Sequence, residues 1–399
     1  MLQRRDFLRN IGTAAWALPL LAAEPPFDLL ITGGRVLDPA LGLDAVMDVG
    51  IRGDRVAAVG PAPHTIGSKT ILNAAGRLVT PGLIDIHGHV YDDVIPISID
   101  ADLVGIPKGV TTIVDAGSAG ASTFAGFRKH VIARSKTRVR ALINISSIGL
   151  VVTNEMYIDA KLIDAKATAK VIQDNPGLIL GIKVRINGRD EELDHDAGVL
   201  AQAREAADAA GVPIMMHWSN RRRLLGMLKK GDILTHPYNP PRSGPNLLGA
   251  DGKVLPQILE LKDRGIYTDF AHGGHLQWET AEKAAEYGWF PDTISTDIHR
   301  AHTGPNGTVQ DLVTTMAKFL YLGMPLGRVM EAVTANPARM LRFGEKIGTL
   351  EPGAVADVSV LRLDETPFEA LDTLRRKRTL KRRLVPQAVV RAGVLSQLA

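Results

Sequence analysis

The sequence contains a short apolar run that ends in two histidines, Leu78-Val-Thr-Pro-Gly-Leu-Ile-Asp-Ile-His-Gly-His-Val90. Residues i and i+2 of a β-strand point to the same face, so His87 and His89 are predicted to project side by side from a strand end. Paired imidazoles are common metal ligands. The run therefore predicts one half of a metal site, and the rest of the chain must supply the other half.

The composition of the 399-residue chain restricts what could complete that site. There is no cysteine, which excludes disulfides, thiolate metal ligands, iron–sulfur clusters and a cysteine nucleophile. Any metal ion must therefore be held by nitrogen and oxygen ligands. The apolar content of 45% and the charged content of 23% are ordinary for a globular protein, and a formal charge of +4 predicts no nucleic-acid partner.

The first 23 residues have the pattern of a secretory signal. Arg4 and Arg5 precede an uncharged apolar segment, residues 10–23, which is too short to span a bilayer comfortably. The Arg4-Arg5-x-Phe-Leu pattern resembles a bacterial twin-arginine signal. The expected partner is therefore the twin-arginine export machinery, and the expected location is periplasmic or secreted, with no membrane contact in the mature form. An amphipathic helix of the mature protein is the alternative.

Both ends of the remaining chain show short alternating strands separated by turn signals. Examples are Asp28-Leu-Leu-Ile-Thr-Gly-Gly near the start and Ala388-Val-Val-Arg-Ala-Gly-Val-Leu near the end. We expect residues 24–80 and 345–399 to form one small β-sandwich domain, into which the large domain is inserted. The basic run at 375–383 is interpreted as a solvated surface, with an anion-binding patch as the alternative.

Residues 81–344 instead alternate apolar β-runs with helix-like stretches. After the first run, further runs begin at Gly109, Val139, Leu178, Val212, Asp232, Gly265 and Thr293. Eight such units predict an α/β fold, a (β/α)8 TIM barrel whose active site lies at the carboxyl ends of the strands. A doubly wound open sheet is the alternative, but no glycine-rich phosphate motif follows any of the runs.

Polar residues that could complete the metal site stand at the ends of these runs. Run four carries Lys183, run five ends in His217, run six in His236 and run eight in Asp297. A single histidine at a strand end is more often structural, but this set repeats the pattern on several strands. Because the strand ends of a barrel meet at one rim, these residues are predicted to join the histidine pair in one site.

These motifs resemble the amidohydrolase superfamily of metal-dependent hydrolases. The opening motif is Val79-Thr-Pro-Gly-Leu-Ile-Asp-Ile-His-Gly-His89, and the order Lys, His, His, Asp follows in the later runs. Two closing motifs are Thr334-Ala-Asn-Pro-Ala-Arg-Met-Leu and Gly348-Thr-Leu-Glu-Pro-Gly-Ala-Val-Ala-Asp-Val. The resemblance covers essentially the whole chain after the signal, and it implies a hydrolase of amide or ester bonds.

The resemblance also implies a centre of two divalent ions, usually zinc. The implied ligands are His87, His89, Lys183, His217, His236 and Asp297. The first two and Asp297 would hold the more buried ion, the other two histidines the more exposed one, and Lys183, carboxylated by carbon dioxide, would bridge them. A lysine amine paired with Asp297 beside a single ion is the alternative. A water shared by the ions would become hydroxide, with Asp297 as the catalytic residue that moves its proton.

Within the superfamily, the sequence is similar to the dihydroorotase-like deacetylase branch. The similar segments are Gly109-Val-Thr-Thr-Ile-Val-Asp-Ala-Gly-Ser-Ala-Gly120, Gly181-Ile-Lys-Val-Arg185 and Ile294-Ser-Thr-Asp-Ile-His299. Members of that branch are linked to hydrolysis of acylated amino acids and acetylated hydroxy acids. Dihydroorotases carry an arginine two residues after the second histidine, where this chain has Tyr91, so dihydroorotate is disfavoured as the substrate.

Four residues are candidates for substrate contact: Tyr91, Arg185, His272 and His299. Arg185 shares a strand face with Lys183 and could bind a substrate carboxylate through two hydrogen bonds, with a salt bridge at the barrel rim as the alternative. In Phe270-Ala-His-Gly-Gly-His275 the glycines allow a close backbone approach. The last histidine of that motif is interpreted as a cap of the following helix, and a place in the site is left open.

Two other functions are compatible with the sequence. A cyclic-amide hydrolase of the hydantoinase or dihydroorotase-like imidase type is the enzymatic alternative. A noncatalytic binding or assembly homologue that lacks metal is the alternative from another class, and the complete set of predicted ligands argues against it. The expected partner is a small-molecule substrate, and the sequence leaves homo-oligomer formation open.

Overall fold

The computed structural model describes residues 26–61, 67–152, 159–186, 192–240, 245–304 and 306–398. The predicted signal at residues 1–23 lies outside these ranges and stays a prediction, as do the predicted domain boundaries. Across the described ranges, no helix is both long enough and apolar enough to cross a membrane.

Short strands at both ends of the chain flank a middle part in which strands and helices alternate. The strands are β1 (Phe27–Asp38), β2 (Leu43–Arg52), β3 (Arg55–Gly60), β4 (Ser68–Asn73), β5 (Leu78–Pro81), β6 (Leu83–Gly88), β7 (Val110–Gly120), β8 (Arg138–Asn144), β9 (Ile179–Val184), β10 (Ile214–Met216), β11 (Ile233–Thr235), β12 (Tyr267–Asp269), β13 (Val358–Asp364), β14 (Phe368–Leu371), β15 (Lys377–Leu380), β16 (Arg383–Arg391) and β17 (Val394–Gln397). The α-helices are α1 (Ala101–Val104), α2 (Phe124–Phe127), α3 (Ala165–Gln173), α4 (Leu193–Ala210), α5 (Arg222–Gly226), α6 (Pro256–Asp263), α7 (Trp278–Glu286), α8 (Leu312–Tyr321), α9 (Leu326–Glu331) and α10 (Ala335–Met340). Short 3₁₀ or π turns span Ile106–Lys108, Arg128–Ile132, Ala160–Leu162 and Arg300–His302.

Strands from the two chain ends share one mixed sheet, the terminal sheet. Its order is β17-β16-β13-β5-β1-β2-β3, and β4 pairs with β1. Strand β5 joins the two ends, because it is parallel to β1 on one side and antiparallel to β13 on the other. Buried side chains such as Val36, Val49 and Val358 give this sheet a core of its own. The sequence predicted a two-layer sandwich here; these pairings show one layer and do not confirm the second.

Seven parallel strands, β6 to β12, pair in sequence order as a second sheet. Strands β6, β7 and β9 consist entirely of buried residues, which is typical of parallel strands that are covered on both faces. The segment at 293–298 bridges both edges of this sheet. Thr293 pairs in parallel with Asp269 of β12, and Ile298 pairs in parallel with Gly88 of β6. The two edges are thus joined through one segment, which is the connection that the predicted barrel requires.

A buried ion pair ties the terminal sheet to the start of the barrel strands. Arg138, the first residue of β8, pairs with Asp357 just before β13, and both side chains are buried. The backbone of Asp357 is also bound, because the N–H of Gly82 donates to the Asp357 carbonyl at 2.8 Å. A side chain at Gly82 would meet the Thr111 hydroxyl at 2.3 Å, so only glycine permits this close approach. These contacts fix the start of β6, the strand that carries His87.

Strands β14 and β15 form a separate two-stranded ribbon that packs against the loop after β12, residues 270–277. The backbone N–H of Thr373 donates to the Leu276 carbonyl at 3.0 Å, and the Leu276 N–H donates to the Thr373 hydroxyl at 3.0 Å. The Trp278 indole donates to the Arg376 carbonyl at 3.0 Å. The ribbon therefore holds the 270–277 loop at the mouth of the barrel.

The basic run at 375–383 is largely paired with carboxylates. The pairs are Arg376 with Asp372 and Glu279, Lys377 with Glu369, Arg378 with Glu282, and Arg383 with Asp364. Much of its positive charge is therefore neutralised within the chain, which agrees better with a solvated surface than with an anion-binding patch.

Candidate metal centre

His87 is fixed by a buried carboxylate behind it. Its Nδ1 lies 3.2 Å from Oδ2 of Asp269, which is fully buried and also accepts hydrogen bonds from Thr235 at 2.9 Å and Ser295 at 2.7 Å. A carboxylate can only accept, so Nδ1 carries the hydrogen and Nε2 presents its lone pair to the cavity. This arrangement orients the imidazole as a metal ligand.

Two histidines at the end of β6 and one aspartate in the segment at 293–298 form a group that we call the acidic triad: His87, His89 and Asp297. Oδ1 of Asp297 lies 3.1 Å from Nε2 of His89 and 3.5 Å from Nε2 of His87. The ligand atoms of all three lie within 4.8 Å of one another, and all three residues are buried. Ser118 holds the other nitrogen of His89 at 2.9 Å. The structure thus brings together the set that the sequence predicted for the more buried ion.

A second group, the imidazole triad, consists of His217, His236 and His275. Its ligand atoms also lie within 4.8 Å of one another. The ring centroids are 4.5 Å apart for His217 and His236, and 3.8 Å apart for His236 and His275. The sequence assigned only the first two to the more exposed ion. The structure adds His275, whose reach depends on the path of the loop.

The backbone at the site adopts conformations that side chains usually avoid. His236, Ala271 and Asp297 have φ angles of 71°, 43° and 47°, in the left-handed region. Gly273 has φ of 29°, and a Cβ there would lie 1.9 Å from Oδ2 of Asp297. Only a glycine lets the 270–277 loop pass so close to that carboxylate.

Lys183 lies between the two triads. Its side chain is buried, and its Nζ lies 3.3 Å from Nε2 of His87. A Cβ at Gly117, on β7 two strands away, would lie 2.6 Å from the Lys183 Cβ, so β7 makes room for the lysine with a glycine. Burial lowers the pKa of Lys183 to about 7, so that near neutral pH a large share of the amine is uncharged.

Burial sets the charge state of the ligand atoms. It lowers the pKa of His87 and His275 to about 4, and that of His217 and His236 well below the ordinary value. These imidazoles are neutral at pH 7 and offer lone pairs. Burial alone would raise the pKa of Asp297, but the hydrogen bond with His89 holds it well below the usual range, helped by neighbouring histidines when these become protonated at low pH. Neutral imidazoles around an ionised carboxylate fit divalent cations.

Both triads and Lys183 line one cavity of about 180 Å³. Arg185 and His299, two of the predicted substrate contacts, also line it. Among the described residues, no carboxylate lies within 4.0 Å of the Arg185 guanidinium, so the alternative of a rim salt bridge is not observed. Nδ1 of His299 is buried, and it has no hydrogen-bond partner in the part of the chain that the structure describes. His302 completes this polar side of the cavity.

Two predicted substrate contacts, Tyr91 and His272, are not among the residues that line this cavity. Tyr91 is buried with its ring centroid 4.8 Å from that of Phe127, and its hydroxyl donates to the Thr123 carbonyl at 3.2 Å. His272 is fully buried. Its Nδ1 lies 3.1 Å from the Gly273 carbonyl oxygen, and its Nε2 is hydrogen-bonded to the amine of the buried Lys318. Both positions lie beyond the last residue of a buried strand, where the two-residue period no longer holds, and their polar atoms are satisfied elsewhere.

For His275 the sequence left two alternatives open, a helix cap and a place in the site, and the structure places it in the site. Helix α7 has Gln277 as its N-terminal cap, without a side-chain hydrogen bond. His275 instead points its Nδ1 at Oδ1 of Asn239, at 2.6 Å. The sequence signal was the Gly-Gly pair between two histidines, which allows the chain to turn back toward the strand ends.

Comparisons with known proteins agree with this site. The sequence matches the amidohydrolase family over residues 78–395. It is 35% identical to the deacetylase Atu3266 of Agrobacterium fabrum over 353 residues, 86% of this chain and 85% of that one. A solved dihydroorotase has a TM-score of 0.81 at 32% identity and covers 93% of this chain and 99% of its own. A solved adenine deaminase has a TM-score of 0.82 at 28% identity, with coverage of 93% and 100%. The chain therefore belongs to the amidohydrolase family, as a hydrolase that acts on carbon–nitrogen bonds.

Proposed function

We propose that this protein is a metal-dependent deacetylase that hydrolyses the acyl amide or ester bond of a small acylated amino acid or hydroxy acid. The observation that carries the proposal is one cavity of about 180 Å³ that both triads, Lys183 and Arg185 line together. The cavity thus combines ligands for metal ions with a cation suited to a carboxylate. The deacetylase name of the Agrobacterium fabrum relative supports an acyl substrate.

In this proposal two divalent ions, most suitably zinc, occupy the centre. The acidic triad would hold one ion, and His217 and His236 would hold the other. Lys183, as a carbamate formed with carbon dioxide, would bridge them. The lowered pKa of its amine supports this, because only a neutral amine reacts with carbon dioxide. Two such ions would activate a water molecule and polarise the acyl carbonyl.

Asp297 would serve as the catalytic proton carrier. Its carboxylate is ionised at neutral pH, lines the cavity and contacts His89 through Oδ1. Its Oδ2 lies against the bare backbone of Gly273, which limits how the carboxylate can rotate. From this position it would take a proton from the attacking water and deliver it to the leaving nitrogen or oxygen.

Arg185 would bind the carboxylate of the substrate. It follows Lys183 by two residues on the same strand face, and its guanidinium lines the cavity. A guanidinium binds a carboxylate through two parallel hydrogen bonds, which fixes the orientation of the scissile bond. His299, whose Nδ1 has no hydrogen-bond partner among the described residues, would supply a further hydrogen-bonding group to the substrate.

The substrate assignment can be tested with purified, zinc-loaded protein and a panel of compounds. The panel contains N-acetyl amino acids of both configurations, acetylated hydroxy acids, dihydroorotate and adenine. We expect the protein to release acetate from the acetylated compounds, and NMR measures that release. For Arg185→Met we expect kcat/KM to fall about 10- to 100-fold for an N-acetyl amino acid, but to change little for its uncharged carboxamide. Turnover of dihydroorotate or adenine alone would overturn the proposal.

A cyclic-amide hydrolase is the second candidate, supported by the likeness to a solved dihydroorotase at 32% identity. It differs in its product, because ring opening releases no free acetate. The same panel therefore distinguishes the two candidates.

We also propose export by the twin-arginine route, on the basis of the Arg4-Arg5-x-Phe-Leu pattern. Fractionation of a bacterial host that expresses the full chain tests this. The protein is expected outside the cytoplasm, and in the cytoplasm when Arg4 and Arg5 are both changed to lysine. If the unchanged protein and the double-lysine variant were distributed equally between the cell fractions, the proposal would be contradicted.

A further inference from the structure

We propose that the more exposed metal position is built from three imidazoles, those of His217, His236 and His275, so that it binds a divalent ion without help from Lys183. This inference rests on the proposed two-metal centre but not on its substrate. It assigns His275 as a metal ligand beyond the ligand set that the sequence implied.

The first support is the spacing of the imidazole triad. The ligand nitrogens of its three members lie within 4.8 Å of one another. Nitrogens about 2.0–2.1 Å from a tetrahedral zinc ion are roughly 3.4 Å apart. Small side-chain movements therefore bring all three onto one ion. The ring centroids of His217 and His275 are 5.2 Å apart, so no member is remote from the others.

The second support is the hydrogen bonding on the far side of two rings. Nδ1 of His275 lies 2.6 Å from Oδ1 of Asn239, and Nδ1 of His236 lies 2.9 Å from the Ala271 carbonyl. Carbonyl-type oxygens only accept, so both Nδ1 atoms carry hydrogen and both Nε2 atoms carry lone pairs. Metal-ligating histidines are oriented in this way by a partner on the other ring nitrogen.

The third support is the position of His275 opposite Asp297. Nε2 of His275 lies 3.8 Å from Oδ2 of Asp297, which is too long for a hydrogen bond. With Nδ1 protonated toward Asn239, two electron-rich atoms face each other across that distance. A cation between the two triads removes this repulsion, whereas a role of His275 as a mere partner of Asp297 does not.

The loop geometry explains why the third imidazole can reach the site. The Gly273-Gly274 pair allows the loop to pass beside Asp297, and Thr373 of the ribbon contacts the Gly273 carbonyl at 3.3 Å. Asn239, which orients His275, belongs to the segment just after His236. The elements that carry the triad thus also hold its third member in place.

Metal titration of variants tests the inference. Chelator-stripped Lys183→Met protein is titrated with Zn²⁺ against a chromophoric competitor. We expect two ions to bind, one to each triad. Adding His275→Ala is expected to lower the affinity for the second ion by at least about tenfold. Removing a partner that only orients a ligand already has an effect of this size, and removing the ligand itself should have at least the same effect. His302→Ala, which removes a cavity imidazole outside both triads, is the matched control and is expected to retain two ions.

A spectroscopic readout identifies the ligand directly. In Co²⁺-loaded Lys183→Met protein, exchangeable Nδ1–H protons of ligating histidines appear as strongly shifted NMR signals. We expect the signal assigned to His275 to vanish in the His275→Ala variant and to persist in the control. If Lys183→Met fails to fold, the same pair of variants is compared in the otherwise unchanged chain.

Two outcomes would overturn the inference. One is loss of the second ion in Lys183→Met alone, and the other is equal affinity and equal Co²⁺ spectra with and without His275. Neither readout depends on turnover, so a wrong substrate assignment leaves the result unaffected, and failure of the metal inference leaves the substrate panel valid.

Discussion

Two lysines are buried among the described residues, and their surroundings are very different. Burial lowers the pKa of both amines to about 7. Nζ of Lys318 on α8 donates to the carbonyls of Thr308 and Leu371 at 2.7 Å each and lies 2.5 Å from Nε2 of His272. Nζ of Lys183 has one hydrogen bond to the described residues, at 3.3 Å to His87.

The two amines share burial and a lowered pKa, and they differ in their hydrogen-bond balance. An ammonium group has three donors, and the three acceptors around Lys318 match them. That lysine therefore ties α8 to the ribbon and to the 270–277 loop. Lys183 has a single hydrogen-bond partner among the described residues, next to imidazoles and Asp297, and the proposed carbamate would form on its nitrogen.

The largest expected effect is on catalysis, at Lys183. Changing Lys183→Ala removes the proposed bridging carbamate, and we expect kcat/KM to fall about 10³-fold, the equivalent of several kcal/mol of transition-state stabilisation. A small carboxylate such as formate or acetate should restore part of the activity, because it supplies the missing anionic oxygens. Lys183→Arg is the control and should not respond. Unchanged activity in the alanine variant would refute the reactive role.

The next effect is on stability, at Lys318. Changing Lys318→Met leaves two buried carbonyls and the His272 imidazole without their donor. We expect the free energy of unfolding to fall by about 2–3 kcal/mol, measured by urea denaturation of the metal-loaded protein. Activity per folded molecule should fall far less than in Lys183→Ala. A loss of stability below about 0.5 kcal/mol would show that the three contacts are not energetically coupled to folding.

The pH dependence of stability sharpens the same contrast. The pKa of Lys318 is lowered from 10.5 in the unfolded chain to about 7 in the folded protein, because burial disfavours its charge. Between these values the unfolded chain binds the extra proton, so the stability of the unchanged protein rises with pH relative to Lys318→Met. The slope is at most about 1.4 kcal/mol per pH unit. Parallel stability curves from pH 7 to 10 would contradict this.

The smallest effect is expected at an exposed lysine. Lys170 pairs with Asp174 one helical turn later at 2.9 Å, and its side chain is 73% exposed. Such pairs contribute little, so Lys170→Met should change the free energy of unfolding by no more than about 0.5 kcal/mol and leave turnover unchanged. A larger effect would mean that exposure is not what separates Lys170 from the two buried lysines.

Local sequence patterns were sufficient for the parts of the site that lie on strands or directly beyond them. His87 and His89 could be placed by the two-residue period of a strand, and Lys183 and Asp297 by their position at strand ends. The terminal sheet followed from alternation near both ends of the chain, although pairing of its strands into layers depends on contacts that alternation does not specify.

Residues on loops could not be placed in the same way. His275 lies six residues beyond the last residue of β12, and its position depends on the unusual backbone of Gly273 and on the hydrogen bond with Asn239. Conversely, His272 stands nearer the strand end but turns toward Lys318. A chain that leaves a strand has no fixed period, so residue spacing does not determine which histidine faces the cavity.

The pairing of β5 with β13 has a consequence for how the protein is made. The two strands are brought side by side although nearly the whole barrel separates them along the chain, as in the pairing of Val79 with Val360. During synthesis, the edge of β5 that pairs with β13 stays unpaired until β13 has left the ribosome. Strand β6, which carries His87, follows β5 directly. Contacts of such long sequence separation form slowly, and an unpaired edge is prone to association. The nascent chain therefore has most need of protection from aggregation late in translation, when its catalytic half is already synthesised.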